Sequence, residues 1–120
     1  MAKILIADDD RDYLSAFCTG MEAMGHIVDG VRTGKDAKVF LRTGTYDIVF
    51  LDVVMPGGGA ISLVHEVASE FPGLPIVVIS GRTELFDTPV FREGLRMASE
   101  RLRKTATLQQ IHKVVVSSIV

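Results

Sequence analysis

The sequence predicts an α/β fold in which a five-stranded parallel sheet is covered by helices on both faces. Five short runs of strand-like composition alternate with segments whose apolar residues recur at helical spacing. This alternation is typical of parallel sheets, because each helix returns the chain to the edge where the next strand begins. A length of 120 residues without an internal repeat or a low-complexity linker predicts a single domain over residues 1–120.

The first strand and helix are well marked. Lys3–Ala7 is a short apolar run bounded by charge, which predicts a buried strand. Residues 10–24 then place their large apolar side chains at roughly helical spacing, and Gly25 is suited to end that helix. A weaker second strand is expected over residues 26–31.

The middle of the chain repeats this order. Thr33 is suited to cap a helix over residues 35–42, and Gly44 is suited to end it. The apolar part of the third strand covers residues 48–51. A helical stripe of apolar residues then predicts a helix over residues 59–71.

The last part of the chain is less regular. Residues 76–79 are wholly apolar and predict the fourth strand, whereas residues 84–98 predict a helix that Pro89 should kink or restart. A short fifth strand over residues 101–104 and a final helix over residues 108–120 complete the pattern. The continuous apolar character of the first, third and fourth strands favours central positions in the sheet.

Composition and charge exclude several classes of protein. Basic and acidic residues number 13 and 15, and this near balance gives no reason to expect nucleic acid or an anionic membrane as a direct partner. No run approaches the ~20 apolar residues of a membrane span, and the amino-terminal run is too short and too acidic for a signal peptide. The single cysteine, Cys18, cannot form an internal disulfide and suits a reducing compartment. We therefore expect a cytoplasmic protein.

Polar side chains stand where the predicted strands end. In chain order they are Asp8, Asp9, Asp52, Ser80 and Lys104. In an open parallel α/β sheet, ligands bind beyond the carboxyl ends of the strands, near the point where the strand order reverses. We therefore expect these five side chains to share one edge of the sheet and to converge.

The chemistry of these residues points to a metal ion and a phosphoryl group. Three carboxylates held close together repel one another, so one takes up a proton unless a cation neutralises them. Mg²⁺, bound by carboxylates, water and phosphate oxygens, is the natural cation for such a site. Asp52 could then attack phosphorus as a nucleophile and form an aspartyl phosphate. Lys104 and the Ser80 hydroxyl could each bind a phosphoryl oxygen.

Four stretches, in this order and at these separations, resemble the receiver (CheY-like) domain of the two-component response-regulator family. They are ILIADDD at the first strand, FLDVVMPGG around the third, VVISG at the fourth, and Lys104 near the fifth. The similarity covers essentially the whole chain. It implies a doubly wound, flavodoxin-like (βα)5 fold with strand order 2-1-3-4-5.

The resemblance also implies a role for each strand-end residue. Asp52 would be the phosphoacceptor, Ser80 would supply the hydroxyl that follows the phosphoryl group, and Lys104 would be the lysine of the family. Gly81, next to that hydroxyl, would leave room for the phosphoryl donor. The protein ligands of Mg²⁺ would be Asp8, Asp9, Asp52 and the backbone carbonyl of Val54.

The chain departs from the family pattern after the fourth strand. Thr105 follows Lys104 where the family usually has proline, so an ordinary trans peptide bond is expected there. Arg101 stands where the family often has a Tyr or Phe that swings inward on activation. The usual aromatic switch is therefore expected to be absent or replaced.

The resemblance implies a signalling switch rather than an enzyme. A histidine kinase or a histidine phosphotransfer protein would donate the phosphoryl group to Asp52, and the domain would assist its own phosphorylation and dephosphorylation. The surface formed by the fourth and fifth strand–helix units would change and act on a downstream effector protein or domain. A dimer through these units is compatible with this reading, whereas direct contact with nucleic acid or a membrane is not expected.

Two other functions remain open at this point. A pseudo-receiver would keep the fold as an interaction module without regulated phosphorylation, and Arg101 and Thr105 motivate that hypothesis. An aspartyl-phosphate phosphatase of the haloacid-dehalogenase type would normally carry a second acid two residues after the first, where this chain has Val54.

Ordinary structural roles also remain open for the same residues. Asp8 and Asp9 are suited to capping the first helix, Ser80 to a turn, and Lys104 to a solvated strand end. Three histidines show no ligand spacing and are expected to have no catalytic role: His26, His65 and His112.

Overall fold

The computed structural model describes residues 1–55 and 58–119, and it contains the predicted parallel sheet. Its strands are β1 (Lys3–Ala7), β2 (Ile27–Val31), β3 (Ile48–Asp52), β4 (Ile76–Ser80) and β5 (Glu100–Arg103). Neighbouring strands pair in parallel, in the order β2-β1-β3-β4-β5. This is the order that the family resemblance implied, so the flavodoxin-like fold is confirmed.

Helices cover both faces of the sheet. They are α1 (Arg11–Ala23), α2 (Gly34–Thr43), α3 (Ala60–Glu70), α4 (Pro89–Gly94) and α5 (Leu108–Ser118). Successive side chains of a strand point to opposite faces, so Leu5 of β1 joins a core cluster with residues of α2 and α3. Its neighbours Ile4 and Ile6 join a second cluster with residues of α1 and α5. Within the described residues, no helix has the length and apolar character that a membrane crossing needs.

The three apolar strands occupy the centre of the sheet, as predicted. β3 and β4 are buried at every position, and β1 at every position after Lys3. The edge strands β2 and β5 are largely exposed or half-buried. Asp52 is therefore the last residue of a strand that is fixed on both faces and along both edges.

Local sequence signals fix the ends of several helices. The Asp10 carboxylate caps α1, and the Thr33 hydroxyl caps α2. After α1, Gly25 adopts a φ of 92°, which favours glycine over residues with a side chain. Thr107 and Gln110 form a reciprocal capping box at the start of α5.

The helical segment predicted over residues 84–98 is divided before Pro89, and its second part ends at Gly94, earlier than expected. The chain forms a 3₁₀ helix over Thr83–Asp87 and then the short α4, which begins at Pro89 after the Thr88 cap. Proline lacks the N–H that a helix interior needs, yet it suits the first helical turn, where that N–H has no partner. The prediction that Pro89 would restart the helix is therefore confirmed.

Two further differences from the prediction lie near the carboxyl ends of the strands. β5 begins and ends one residue earlier than expected, so Lys104 lies just beyond the strand, where its backbone N–H donates to the Ser80 carbonyl. Residues Val54–Met55 pair in an antiparallel two-residue ladder with Gly58–Gly59, which the sequence reasoning missed. Proline and glycine at positions 56 and 57 favour a turn, but these two residues lie outside the described part of the chain.

Candidate functional site

The carboxyl ends of β1 and β3 bring three acids together. Ala7 and Leu51 are register partners in the parallel pair, so the residues that follow them stand side by side. Carboxylate oxygens of Asp8, Asp9 and Asp52 all lie within 4.8 Å of one another. The convergence that the strand-end pattern predicted is therefore present for these three acids.

Asp8 is fully buried and its two oxygens differ in their surroundings. Oδ1 accepts hydrogen bonds from the Asp10 backbone N–H at 2.9 Å and from the Lys104 ammonium at 3.0 Å. Oδ2 lies 2.8 Å from the same ammonium, but no described group gives it a hydrogen bond of adequate geometry. A buried carboxylate oxygen without such a bond is poorly satisfied and is suited to coordinate a cation.

Asp8 and Asp9 do not cap the first helix. The Asp10 carboxylate does so, since its Oδ1 accepts from the backbone N–H groups of Asp12 at 3.1 Å and Tyr13 at 3.2 Å. The structural alternative for the acidic pair is therefore wrong, and the two side chains are left for the cluster with Asp52.

Asp52 is nearly enclosed, with 5% of its surface exposed. Burial and the negative charge of Asp8 raise its pKa to about 7, against the opposing effect of Lys104. Its Oδ2 lies 3.5 Å from the Lys104 Nζ, and its Oδ1 accepts a long bond of 3.4 Å from the Val54 N–H. Without a metal ion, the acidic cluster therefore tends to keep a proton near neutral pH.

Lys104 supplies the positive charge of the site. Burial acts to lower the pKa of this ammonium, but the hydrogen bond to Asp8 and the charges of both acids raise it above its ordinary value. The neighbouring Arg101 points elsewhere and donates from Nη2 to the Arg92 carbonyl at 3.4 Å. Lys104 is therefore the basic residue of this segment that reaches the acids.

Ser80 and Gly81 border the site at the end of β4. The Ser80 Oγ is buried and accepts a hydrogen bond of 2.8 Å from the Arg82 N–H. A Cβ placed on Gly81 would meet only the Lys104 Cδ, at 3.9 Å, among the described atoms. A Cβ at this position would therefore clash with no described neighbour, and the room that the resemblance implies for a phosphoryl donor stays a prediction.

The residues present fit a hard divalent cation. Three converging carboxylates and the poorly satisfied Asp8 Oδ2 provide the oxygen ligands that Mg²⁺ prefers. Lys104 now balances part of their charge. The roles assigned to Asp8, Asp9, Asp52, Ser80, Lys104 and the Val54 carbonyl remain predictions.

Tyr13 contacts the site, although the sequence reasoning treated it only as one apolar position of a helix. The Lys104 Nζ lies 5.0 Å from the centroid of its ring. Burial and the charge of Asp8 raise the Tyr13 pKa to about 12. Its position in the first turn of α1, directly after the acidic run, is the signal that could have placed it near the strand ends.

Two histidines form a pair that the spacing did not predict. The His26 Nε2 and the His112 Nδ1 lie 2.8 Å apart, and the His26 Nδ1 accepts from the Ala2 N–H at 3.1 Å. His26 precedes β2, so the pair lies at the amino ends of the strands, away from the acids. The spacing of the histidines did not indicate this contact, and the expectation that they have no catalytic role stays a prediction. His65 is exposed.

Curated relatives are longer regulators. The transcriptional regulatory protein BasR of Escherichia coli (strain K12) is 28% identical over 111 residues, which cover 92% of this chain and 49% of that protein. The DNA-binding transcriptional regulator NtrC of Azospirillum brasilense is 32% identical over 117 residues, or 95% of this chain and 23% of that protein. The chain thus spans half or less of the length of these relatives.

Solved receiver structures superpose over almost the whole chain. The response regulator TrrA of Thermotoga maritima, solved in complex with Mg(2+)-BeF, gives a TM-score of 0.88 at 20% identity, with 98% of this chain and 99% of that chain covered. The receiver domain of the Francisella response regulator 1452 gives 0.86 at 25% identity, with 99% and 97% covered. The sequence profile of the response regulator receiver domain matches residues 4–116. Because this match takes in nearly the whole sequence, the chain belongs to the response regulator receiver domain family.

Proposed function

We propose that this receiver domain is a phosphorylation-controlled switch in which Asp52 accepts the phosphoryl group. The observation that carries the proposal is the nearly enclosed Asp52 carboxylate, which lies beside Asp8 and the Lys104 ammonium at the carboxyl ends of the strands. The match of the chain to TrrA, which was solved with Mg(2+)-BeF, supports the same assignment. The donor would be the phosphohistidine of a kinase or of a phosphotransfer protein.

The residues of the site suit this transfer. An Asp52 oxygen would form a bond to phosphorus as the bond from phosphorus to the donor imidazole nitrogen breaks. The electron pair of the broken bond would stay on that nitrogen, which would take up a proton from solvent. The Lys104 ammonium, 3.5 Å from Asp52, can pair with a phosphoryl oxygen. Mg²⁺ would be held by Asp8, Asp9, Asp52 and the Val54 carbonyl, and it would supply neutralisation of the negative charge.

Ser80 would connect phosphorylation to the loops around it. Its hydroxyl accepts from the Arg82 N–H, so its own hydrogen remains available to a phosphoryl oxygen. Rotation of the hydroxyl toward the phosphoryl group would release the Arg82 N–H and change the loop after β4. The surface of β4, α4, β5 and α5 would then act on an effector.

The setting of this switch follows from its proposed partners. The donor kinase or phosphotransfer protein and the effector would meet the domain in the cytoplasm, without a direct contact to nucleic acid or a membrane by the domain itself. The domain would assist its own phosphorylation and dephosphorylation without turning over an external substrate, and a dimer through α4, β5 and α5 would be one form of output.

A titration with Mg²⁺ and beryllofluoride, followed by amide NMR, tests the proposal. We expect saturable shifts centred on the residues around Asp52, Ser80 and Lys104. Asp52→Asn should abolish the beryllofluoride-dependent shifts, whereas Asp36→Asn, an exposed acid on α2, should leave them unchanged. A wild-type protein that binds neither beryllofluoride nor phosphate from acetyl phosphate in the presence of Mg²⁺ would contradict the proposal.

One observation favours a second function, that of a pseudo-receiver. Arg101 occupies the position of the aromatic switch, and its guanidinium contacts the Arg92 carbonyl at the outside of the sheet edge. A domain without that switch could bind a partner in one fixed state. If Asp52→Asn leaves partner binding and signalling unchanged while wild type still takes up phosphate, the pseudo-receiver is the better description.

A further inference from the structure

The contacts that hold the Lys104 ammonium in the site include the two acids that a metal ion would also bind. It sits at the end of a long side chain, just after the edge strand β5, with Thr105 rather than proline next in the chain. Its close contacts are Asp8 at 2.8 Å and Asp52 at 3.5 Å, which are also the residues that would hold Mg²⁺. A metal ion would compete with the ammonium for these oxygens, because both cations need the same lone pairs.

The face of the Tyr13 ring offers the ammonium a contact that a metal ion does not take. The Nζ lies 5.0 Å from the ring centroid, which is within the range of a cation–π interaction. The side chain of Lys104 is 18% exposed, so this contact is shielded from water. The attraction arises from the ring quadrupole and does not depend on a carboxylate lone pair.

The ring itself is fixed by the core. The Asp10 cap holds the Tyr13 N–H at the start of α1. The ring packs against Phe17, with centroids 6.3 Å apart, and Phe17 packs edge-on against Phe50 at 4.9 Å. Phe17 and Phe50 are buried, and Phe50 lies on β3 two residues before Asp52. A series of aromatic contacts therefore connects the strand that carries Asp52 to the ammonium of Lys104.

We propose that Tyr13 is a positioning residue of the phosphorylation site. Its ring holds the Lys104 ammonium beside Asp52 when a metal ion binds the carboxylates of Asp8 and Asp52. This inference rests on the proposed function. The ring would keep the ammonium ready to pair with a phosphoryl oxygen. The Tyr13 hydroxyl, which is buried without a described hydrogen-bond partner, has no part in this role.

Three variants test the proposal through the affinity for beryllofluoride at saturating Mg²⁺, measured by amide NMR. Tyr13→Leu removes the ring and should weaken binding about fivefold to tenfold. Tyr13→Phe keeps the ring and should stay within about twofold of wild type. Tyr46→Leu is the matched control, because it removes a similar contact away from the site. Lys3 lies 5.0 Å from the Tyr46 ring at the amino ends of the strands. This variant should leave the affinity unchanged.

A double-mutant cycle separates positioning from a general loss of structure. If Tyr13 acts through Lys104, then Tyr13→Leu should add little further loss in a Lys104→Met background. Losses that simply multiply, a Tyr13→Leu protein that binds as wild type does, or a Tyr13→Phe protein as weak as Tyr13→Leu would each overturn the proposal.

A measurement on the wild-type protein covers the case in which Tyr13→Leu does not fold. Protons of the Lys104 side chain next to Nζ should be shifted upfield by the ring, both without ligand and with Mg²⁺ and beryllofluoride. Absence of that shift in the liganded protein would overturn the inference on Tyr13. Failure of the wild type to bind beryllofluoride would instead count against the proposed function as a whole.

Discussion

Asp8 and Asp52 place two carboxyl groups in one buried space, with the Lys104 ammonium between them. Lys104 lies closer to Asp8 than to Asp52, at 2.8 Å against 3.5 Å. Burial and the charge of Asp8 therefore dominate at Asp52, and its pKa rises from 3.8 to about 7. The ionised form of Asp52 is therefore disfavoured in the folded chain, and keeping this carboxylate for a cation lowers the stability of the fold.

This cost gives a pH-dependent prediction for Asp52→Asn in metal-free buffer. The folded state binds a proton at Asp52 more tightly than the unfolded state does, so wild-type stability falls as the pH rises from about 4 to about 7. The asparagine variant lacks this loss and should be more stable than wild type at pH 8, by an amount on the order of 1 kcal/mol after solvent screening.

Urea unfolding with EDTA at pH 8 and at pH 5 measures this difference. The gain of Asp52→Asn should shrink toward pH 5, where the wild-type carboxyl is protonated. Asp36→Asn, on the exposed side of α2, controls for removal of a charge elsewhere. An asparagine variant that is less stable than wild type at pH 8 would show that the charge of Asp52 is well balanced in the fold.

At the residue scale, the strand-end acids and Lys104 could be predicted, but the contacts of Tyr13 and of the two histidines could not. Asp8, Asp9 and Asp52 follow apolar strands, and parallel strands deliver their ends to one edge. Tyr13 and the His26–His112 contact depend instead on how helices α1 and α5 turn toward the sheet. That rotation is set by packing between distant segments, which spacing along the chain does not reveal.

At the element scale, α5 offers a test of how far local signals stabilise the fold. The Thr107 Oγ1 accepts from the Gln110 N–H at 3.1 Å, and the Gln110 side chain accepts from the Thr107 N–H at 2.8 Å. Thr107→Ala removes one of these bonds and should lower the free energy of unfolding by about 1 kcal/mol. Thr107→Ser keeps the hydroxyl and should lower the free energy of unfolding by only about a few tenths of a kcal/mol.

Chemical denaturation of the two variants gives the comparison directly. Equal losses for alanine and serine would mean that the Thr107 methyl group, and not the cap, supports α5. Because Ile111 and Val115 of this helix are buried in the same core as Phe17 and Phe50, fraying at its start would also loosen the packing beneath α1.

The sequence predicted the type of an element correctly where a single signal, such as an uninterrupted apolar run, was present. β1, β3 and β4 are uninterrupted apolar runs, and the structure places all three in the centre of the sheet. Between Ser80 and Glu100, the apolar pattern favoured one helix, while Pro89 favoured a kink or a restart. The local backbone requirement of proline prevailed, and the helix was divided.

At the scale of the whole molecule, the site forms because the sheet brings together residues that are far apart in the sequence. Lys104 meets Asp8 across 96 residues and Asp52 across 52 residues. The strand order places β1 and β3 side by side and puts β5 at the edge beyond β4. Any ligand that binds these side chains therefore stabilises the complete fold rather than one segment of it.

Mg²⁺ should consequently raise the stability of the whole domain. At ten times its Kd, the ion should add about 1.4 kcal/mol to the free energy of unfolding, because it binds the folded chain only. This corresponds to a rise in Tm of about 5 °C for a domain of this size. Thermal unfolding at pH 8 with increasing Mg²⁺ measures the effect. Asp8→Asn should abolish the rise, because it removes a fully buried carboxylate of the acidic cluster, whereas Asp36→Asn should retain it. A rise of equal size in Asp8→Asn would place the ion elsewhere on the surface.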